Sequence, residues 1–196
     1  THGRTISPPG SFNNELGLPL TVLAADHETR YLVLEMGARG TGHLDYLCSV
    51  APPRIGVELA VGTAHVSEFG SREAIAAAKA ELVRSLPASG SAVLNADDPL
   101  VRAMADQTDA QVTWFGLGAD AQVRASGVTA DDRDRAAFTL VTPDGSAPVA
   151  LQLVGSHAVP NALAAAAVGW SVGLATDAIA ASLSQATPRS RWRMEV

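Results

Sequence analysis

Three β-rich runs with helix-patterned segments between them constrain this chain more than any other feature: "RIGVELAVG", "SAVLNADDP" and "AQVTWFG". "REAIAAAKAELVRSL" lies between the first two, and "LVRAMADQ" between the second and third. Strands joined through helices must run parallel, because a crossover returns the chain to the starting edge of the sheet. Upstream, "TRYLVLEMG" reads as a further buried strand stopped by Gly37, and the helix "LDYLCSVA" ends at the Pro52–Pro53 pair. Ser71 is placed to cap the next helix, and Pro99 suits the first turn of the one after. Residues 1–14 offer one short extended segment and a loop. From Ala121 the helical pattern disappears. Alternating runs around "PDGS" predict a small antiparallel β meander near residues 121–154. Helix resumes at Pro160, taken as its first position, and a second helix covers Thr176 to Ser184. The expected fold is α/β, a mostly parallel sheet flanked by helices.

With 196 residues, 47% of them hydrophobic, the chain can bury a single sizeable core. A net charge of −6 argues against a general nucleic-acid or membrane surface. The single Cys48 excludes an internal disulfide framework, suits a reducing compartment and reads as a buried small residue. No apolar run reaches the roughly 18 residues of a membrane span, so "NALAAAAVGWSVGL" reads as a core helix. No signal peptide is visible, and a cytoplasmic location is expected.

The lysine helix poses a chemical question. At about 100° per residue, Ile75, Ala78, Leu82, Val83 and Leu86 share one stripe, and Lys79 lies inside it. Glu81 and Arg84 are read as its solvent face. A lysine in such a place snorkels outward, meets an anion, or is not an ammonium at all. Groups with chemistry collect beyond the carboxyl ends of parallel strands. Glu35 follows "YLVL", His65 lies beyond the next strand, and Lys79 is on the helix after it. A carboxylate and an imidazole there suit a divalent cation that carries phosphate. Singly, each has a plain alternative: a surface or capping carboxylate, a structural histidine, a snorkelling lysine.

Other candidates sit at element ends. His157 and Asn161 flank the positive mouth of an almost wholly apolar helix, where phosphate or a nucleobase could bind; ordinary capping is the alternative. Asn95, Asp97 and Asp98 in "LNADDP" sit at a strand end and suit a ribose contact or an Asx turn. Neither G-x-x-x-x-G-K-[ST] nor G-x-G-x-x-G occurs. No Ser-His-Asp arrangement or Cys/His cluster stands out, and His43 has no partner at a telling spacing.

Taken together, "PGSFNNELGLPLTVL", "YLVLEMGARGTGHLDYL", "APPRIGVELAVGTAHVSEFGSREAIAAAKAELV", "AVLNADDPLV" and "GSHAVPNALAAAAV" resemble the central, P-loop-type domain of the Mur ligase family. Within the family they most resemble the branch that adds D-alanyl-D-alanine to UDP-N-acetylmuramoyl-tripeptide. The resemblance implies a three-domain enzyme of cell-wall synthesis that uses ATP and Mg2+ to form an acyl phosphate, which the amine of D-alanyl-D-alanine attacks. It implies Glu35, His65 and Lys79 as catalytic metal ligands, Lys79 being carbamylated. His157 and Asn161 would face the adenine end of ATP, with Asn95 and Asp97 near the same nucleotide. Arg193 would reach its phosphates, and Asn13 and Asn14 would lie at the substrate.

The chain departs from the family pattern in several places. Ala60 stands where asparagine is usual, Glu58 where an apolar residue is usual, and Ala158 where a second asparagine follows the histidine. Residues 1–186 are expected to form the central domain without its P-loop, and 187–196 to begin the linker to a C-terminal domain. Such a fragment is expected to be inactive by itself. Two other readings stand beside this one: a non-catalytic Mur-ligase-like binding module, and a related amino-acid ligase, such as the diaminopimelate- or lysine-adding enzyme or folylpolyglutamate synthetase.

Overall fold

The structure, a computed structural model, describes residues 3–62 and 69–187. In chain order the elements are β1 (Thr5–Ile6), α1 (Gly17–Leu23), β2 (Tyr31–Leu32), α2 (His43–Val50), β3 (Ile55–Glu58) and α3 (Arg72–Arg84). Then come β4 (Ser91–Asn95), α4 (Pro99–Arg102) with a 3-10 turn (Ala103–Gln107), and β5 (Gln111–Gly116). β6 (Val123–Ala130), β7 (Arg135–Thr142), β8 (Gly145–Val154), α5 (Ala158–Ser171) and α6 (Thr176–Gln185) complete the described chain.

Among the described residues the strands form two sheets, one pairing β1 with β2 and one running β3-β4-β5-β6-β7-β8. β3 to β6 pair in parallel, and β6-β7-β8 are antiparallel. The meander is therefore a continuation of the main sheet. β6 joins β5 only through Phe115↔Val123 and Gly116↔Arg124, so it starts where β5 ends and carries the hairpin past the carboxyl edge. Pro143 and Asp144 make the turn between β7 and β8, and Trp170 Nε1 of α5 donates to Asp144 Oδ2 at 2.7 Å.

Period-two alternation divides the core. Ala92 and Leu94 of β4 pack with Ile75, Ala80 and Val83 of α3 and with Val101 and Met104. Val93, between them, packs on the opposite layer with Phe115, Leu140, Leu163 and Ile179. Helices thus cover both faces, as a parallel sheet requires. A third cluster, Leu18, Leu44 and Leu47 with Leu34, Met36 and Leu82, fastens α1, α2 and the segment after β2 to α3.

Three sequence expectations need correction. "TRYLVLEMG" forms only a two-residue strand, outside the main sheet, and Leu32 and Val33 are exposed. α5 begins at Ala158, so Pro160 is its third residue; that position also lacks an intrahelical acceptor, and proline is tolerated there. Glu81 is not on a solvent face: it is fully buried. The cap at Ser71, which accepts from Ala74 N at 3.1 Å, and Pro99 in the first turn of α4 form as expected; Asp98, read from sequence as a ribose contact or an Asx turn, caps that helix. Cys48 is buried, which pushes its thiol above the usual range. No helix among the described residues is long and apolar enough to cross a membrane.

Candidate functional site

Glu35 follows β2, with Leu34 and Met36 turned into the cluster that holds Leu82. Alternation leaves Glu35 between them pointing outward and exposed. Asn13 Nδ2 donates to Glu35 Oε1 at 3.0 Å, and Asn13 O accepts from Gly37 N at 2.8 Å. Asn13 thus aims the carboxylate. A side chain at Gly37 would press on Asn13 at 3.2 Å, which accounts for a glycine at this close approach. Asn14 serves the fold: its Oδ1 accepts from Leu16 N and Gly17 N at 3.2 and 2.8 Å, anchoring the turn into α1.

Lys79 meets an anion. Its Nζ donates to Glu58 Oε2 at 2.8 Å, with the lysine side chain 29% exposed and that of Glu58 4%. Burial pushes the Glu58 carboxyl above its ordinary 4.5, and the Lys79 ammonium pulls it part of the way back. Glu58 is the last residue of β3, so the pair sits at the carboxyl edge of the sheet.

Two residues further along α3 and on another side of the helix, Glu81 accepts from Gly42 N, Leu44 N and Asp45 N at 2.6, 3.1 and 3.2 Å. A carboxylate at the mouth of α2 satisfies N–H groups that have no partner inside the helix and complements its dipole. The segment carrying Glu35 is thereby locked to the helix carrying Lys79.

"LNADDP" is a fastening between strand ends. Asn95 Nδ2 donates to Leu59 O at 2.7 Å, and its Oδ1 accepts from Asp97 N at 2.9 Å, an Asx turn. Asp97 accepts from Leu117 N at 2.7 Å and Gly118 N at 3.3 Å, and Asp98 from Val61 N at 2.8 Å. β3, β4 and β5 are tied together where their carboxyl ends finish.

α5 enters from the side to which β8 delivers the chain. His157 makes no side-chain capping bond, and His157 and Asn161 are both exposed, one turn apart. Ala158 between them is buried.

The structure brings Asn13 to Glu35, and it sets Lys79 beside Glu58. His65 and Arg193 lie outside the described residues. Among those described, no group of three His, Cys, Asp or Glu forms a metal cluster. Sequence reasoning missed the Lys79–Glu58 pair although both charges looked out of place. Two opposite charges, one on a strand and one on the helix packed against it, were the available signal.

The chain matches the family description "Mur ligase middle domain" over residues 1–169. It is 52% identical over 194 residues to the UDP-N-acetylmuramoyl-tripeptide--D-alanyl-D-alanine ligase of Mycobacterium tuberculosis (strain H37Rv), covering 99% of this chain and 38% of the relative. MurF from Acinetobacter baumannii superposes with a TM-score of 0.90 at 33% identity, covering 95% of this chain and 41% of that one. MurF ligase from Thermotoga maritima in complex with ADP has a TM-score of 0.82 at 27% identity, covering 95% and 43%. The chain therefore spans about two fifths of the length of these relatives. By the extent of the match and by its fold, this chain belongs to the Mur ligase family, as a middle domain.

Proposed function

We propose that this chain is the nucleotide-handling part of an ATP-dependent ligase that joins D-alanyl-D-alanine to UDP-N-acetylmuramoyl-tripeptide in peptidoglycan synthesis, in the cytoplasm. The observation that carries the reading is the 52% identity to a ligase of that name along nearly the whole chain. The ADP complex of the Thermotoga maritima relative supports nucleotide binding.

In the proposed reaction a peptide carboxylate oxygen bonds to the terminal phosphorus of ATP, and the bond to ADP breaks. The amine then attacks the acyl carbon, loses a proton, and inorganic phosphate departs as the amide forms. Holding the partners in line supplies much of the rate in such transfers.

Glu35 fits a divalent cation: it is an exposed hard oxygen donor, held in direction by Asn13. His65 is the second ligand in this proposal. Such an ion, when bound, offsets charge growing on the transferred phosphoryl group. His157 and Asn161 present donors and acceptors at the mouth of α5 for the nucleotide's base, and Arg193 reaches its phosphates. Asn95 and Asp97 act indirectly, keeping the strand ends in place under the nucleotide. Asn14 does the same for the loop that offers Asn13 to the substrate. The P-loop contacts come from the part of this same domain that lies outside these residues, and the acceptor site from the other domains of the enzyme.

The test is phosphate release by the full-length protein with UDP-N-acetylmuramoyl-tripeptide, ATP and Mg2+. Release with D-alanyl-D-alanine and not with diaminopimelate, lysine or glutamate is expected. Release with one of those instead would make it a related ligase, and release with none of them a binding module.

A further inference from the structure

We infer that the tip of the β6–β7 hairpin, residues 131–134, sets the position of His157 and so tunes how tightly the nucleotide's base is held. Asp131 and Asp134 are then positioning residues, acting through His157 rather than on the nucleotide. The inference rests on the ligase reading above, which gives His157 and Asn161 a base to meet.

The tip is built to be stiff. Asp131 Oδ1 accepts from Arg133 N and Arg135 N, both at 2.9 Å. Its Oδ2 accepts from Arg135 Nε at 2.8 Å, and a second guanidinium nitrogen lies at 2.6 Å. The main chain closes the same turn, Asp134 N donating to Asp131 O at 2.9 Å and Asp131 N to Arg135 O at 3.0 Å. Hydrogen bonds from the Arg135 guanidinium and these N–H groups hold the Asp131 carboxyl down at about 2, so the turn keeps its charge at any ordinary assay pH.

The tip is also aimed. Asp134 is the one non-glycine residue with positive φ among those described, at 57°. Gly, Asn and Asp enter that left-handed region readily, and β-branched residues do not. The conformation directs the Asp134 carbonyl, which accepts from Gly155 N at 2.9 Å. Gly155 O in turn accepts from Ala158 N, the first residue of α5, at 3.0 Å. Two hydrogen bonds thus run from the hairpin tip to the first turn of α5, and His157 lies in the span that the second one closes. Val154, just before, is paired with Arg135. His157 makes no side-chain capping bond, so its direction is taken from the backbone on either side. A shift of about 1 Å in a group that orients a substrate is enough to cost up to about 100-fold.

The experiment titrates ADP with Mg2+ into the full-length protein by isothermal titration calorimetry, and follows KM for ATP and for D-alanyl-D-alanine in phosphate release. Asp134→Val, which drives the tip out of the left-handed region, is expected to raise the ADP Kd and the KM for ATP about tenfold. Asp131→Ala, which frees the turn, is expected to raise both about threefold. Asp134→Gly, which keeps the backbone and its carbonyl, is expected to restore wild-type binding. The Tm and the KM for D-alanyl-D-alanine should not change, because the tip is exposed. Wild-type ADP affinity in both Asp134→Val and Asp131→Ala overturns the inference. So does a defect in Asp134→Gly as large as that in Asp134→Val, since the side chain and not the carbonyl would then be the contact. An equal rise in the two KM values overturns it as well, because it would mark a general loss of structure. Asp131→Ala carries the test if Asp134→Val fails to fold. A wild type that binds no ADP overturns the ligase reading together with this one, whereas wild-type binding that the variants leave unchanged overturns this one alone.

Discussion

Replacing Glu81 tests how the two halves of the candidate site are joined. The carboxylate accepts from three N–H groups at the start of α2, at 2.6, 3.1 and 3.2 Å. Glu81→Ala removes all three. Of the donors, only Leu44 belongs to a buried residue, so water can replace the acceptor at Gly42 and Asp45. A lost hydrogen bond to a charged group costs about 1.5–3 kcal/mol, and a lost helix cap about 1 kcal/mol. We expect α2 to lose about 3 kcal/mol of local stability, since the partly hydrated donors recover some of the total. At about 1.4 kcal/mol per tenfold, amides of α2 should then exchange with solvent about 100-fold faster. Hydrogen–deuterium exchange mass spectrometry on the full-length protein reads this directly, with β4 as the internal reference. Glu81→Gln should fall between wild type and Glu81→Ala, because it keeps one acceptor and turns an NH2 toward a backbone donor. Unchanged protection of α2 in both variants would show that Glu81 does not hold it, and would sink the account of how the Glu35 segment is placed.

Other substitutions test the neighbouring contacts. Lys79→Met leaves Glu58 buried without its partner and should destabilise the segment by about 3 kcal/mol in urea unfolding. The double variant with Glu58→Leu should recover most of that loss; a strictly additive result would mean that the pair is not coupled. Burial lifts Glu58 above its ordinary 4.5 in the folded chain, which then holds a proton that the unfolded chain has released. Stability should therefore fall as pH rises from 4.5 through the folded-state value, and Glu58→Gln should flatten that slope. An unchanged slope would refute it. Asn13→Ala should weaken the Mg2+ dependence of phosphate release by about 10- to 100-fold, with little change in thermal stability. A normal magnesium titration would remove Asn13 as the group that aims Glu35. Gly116→Ala would bring a methyl group to 2.8 Å from the Asp97 carboxylate. It should cost about 1–3 kcal/mol, measured by urea unfolding.

The core strands were legible because each is an apolar run bounded by a turn signal, as in "SAVLN" before "ADDP". The meander was legible from alternation, but not its attachment, since a two-residue ladder between Phe115–Gly116 and Val123–Arg124 leaves no trace in hydropathy. "YLVL" misled for the opposite reason: its apolar residues pack against helices, and some stay exposed, without joining the main sheet. Glu81 was hidden because periodicity assumes that a helix has one buried face. α3 has neighbours on several sides, and the group that buries Glu81 comes from a segment some 40 residues away. Lys79 was visible as a misfit, and so was Glu58. Joining them required knowing that the last residue of β3 lies level with the second turn of α3, which is a fact of packing.

The spacing of three residues along α3 has a mechanical consequence. Lys79 faces the edge of the large sheet, while Glu81 and Leu82 grip the part of the chain that carries Glu35. This single helical turn works as an indexed shaft, fixing the angle at which the two assemblies meet. One residue inserted between positions 79 and 81 would rotate one grip against the other by about 100°. Every side chain would be retained, yet the Glu35 segment and the sheet edge beside Lys79 would meet at a different angle.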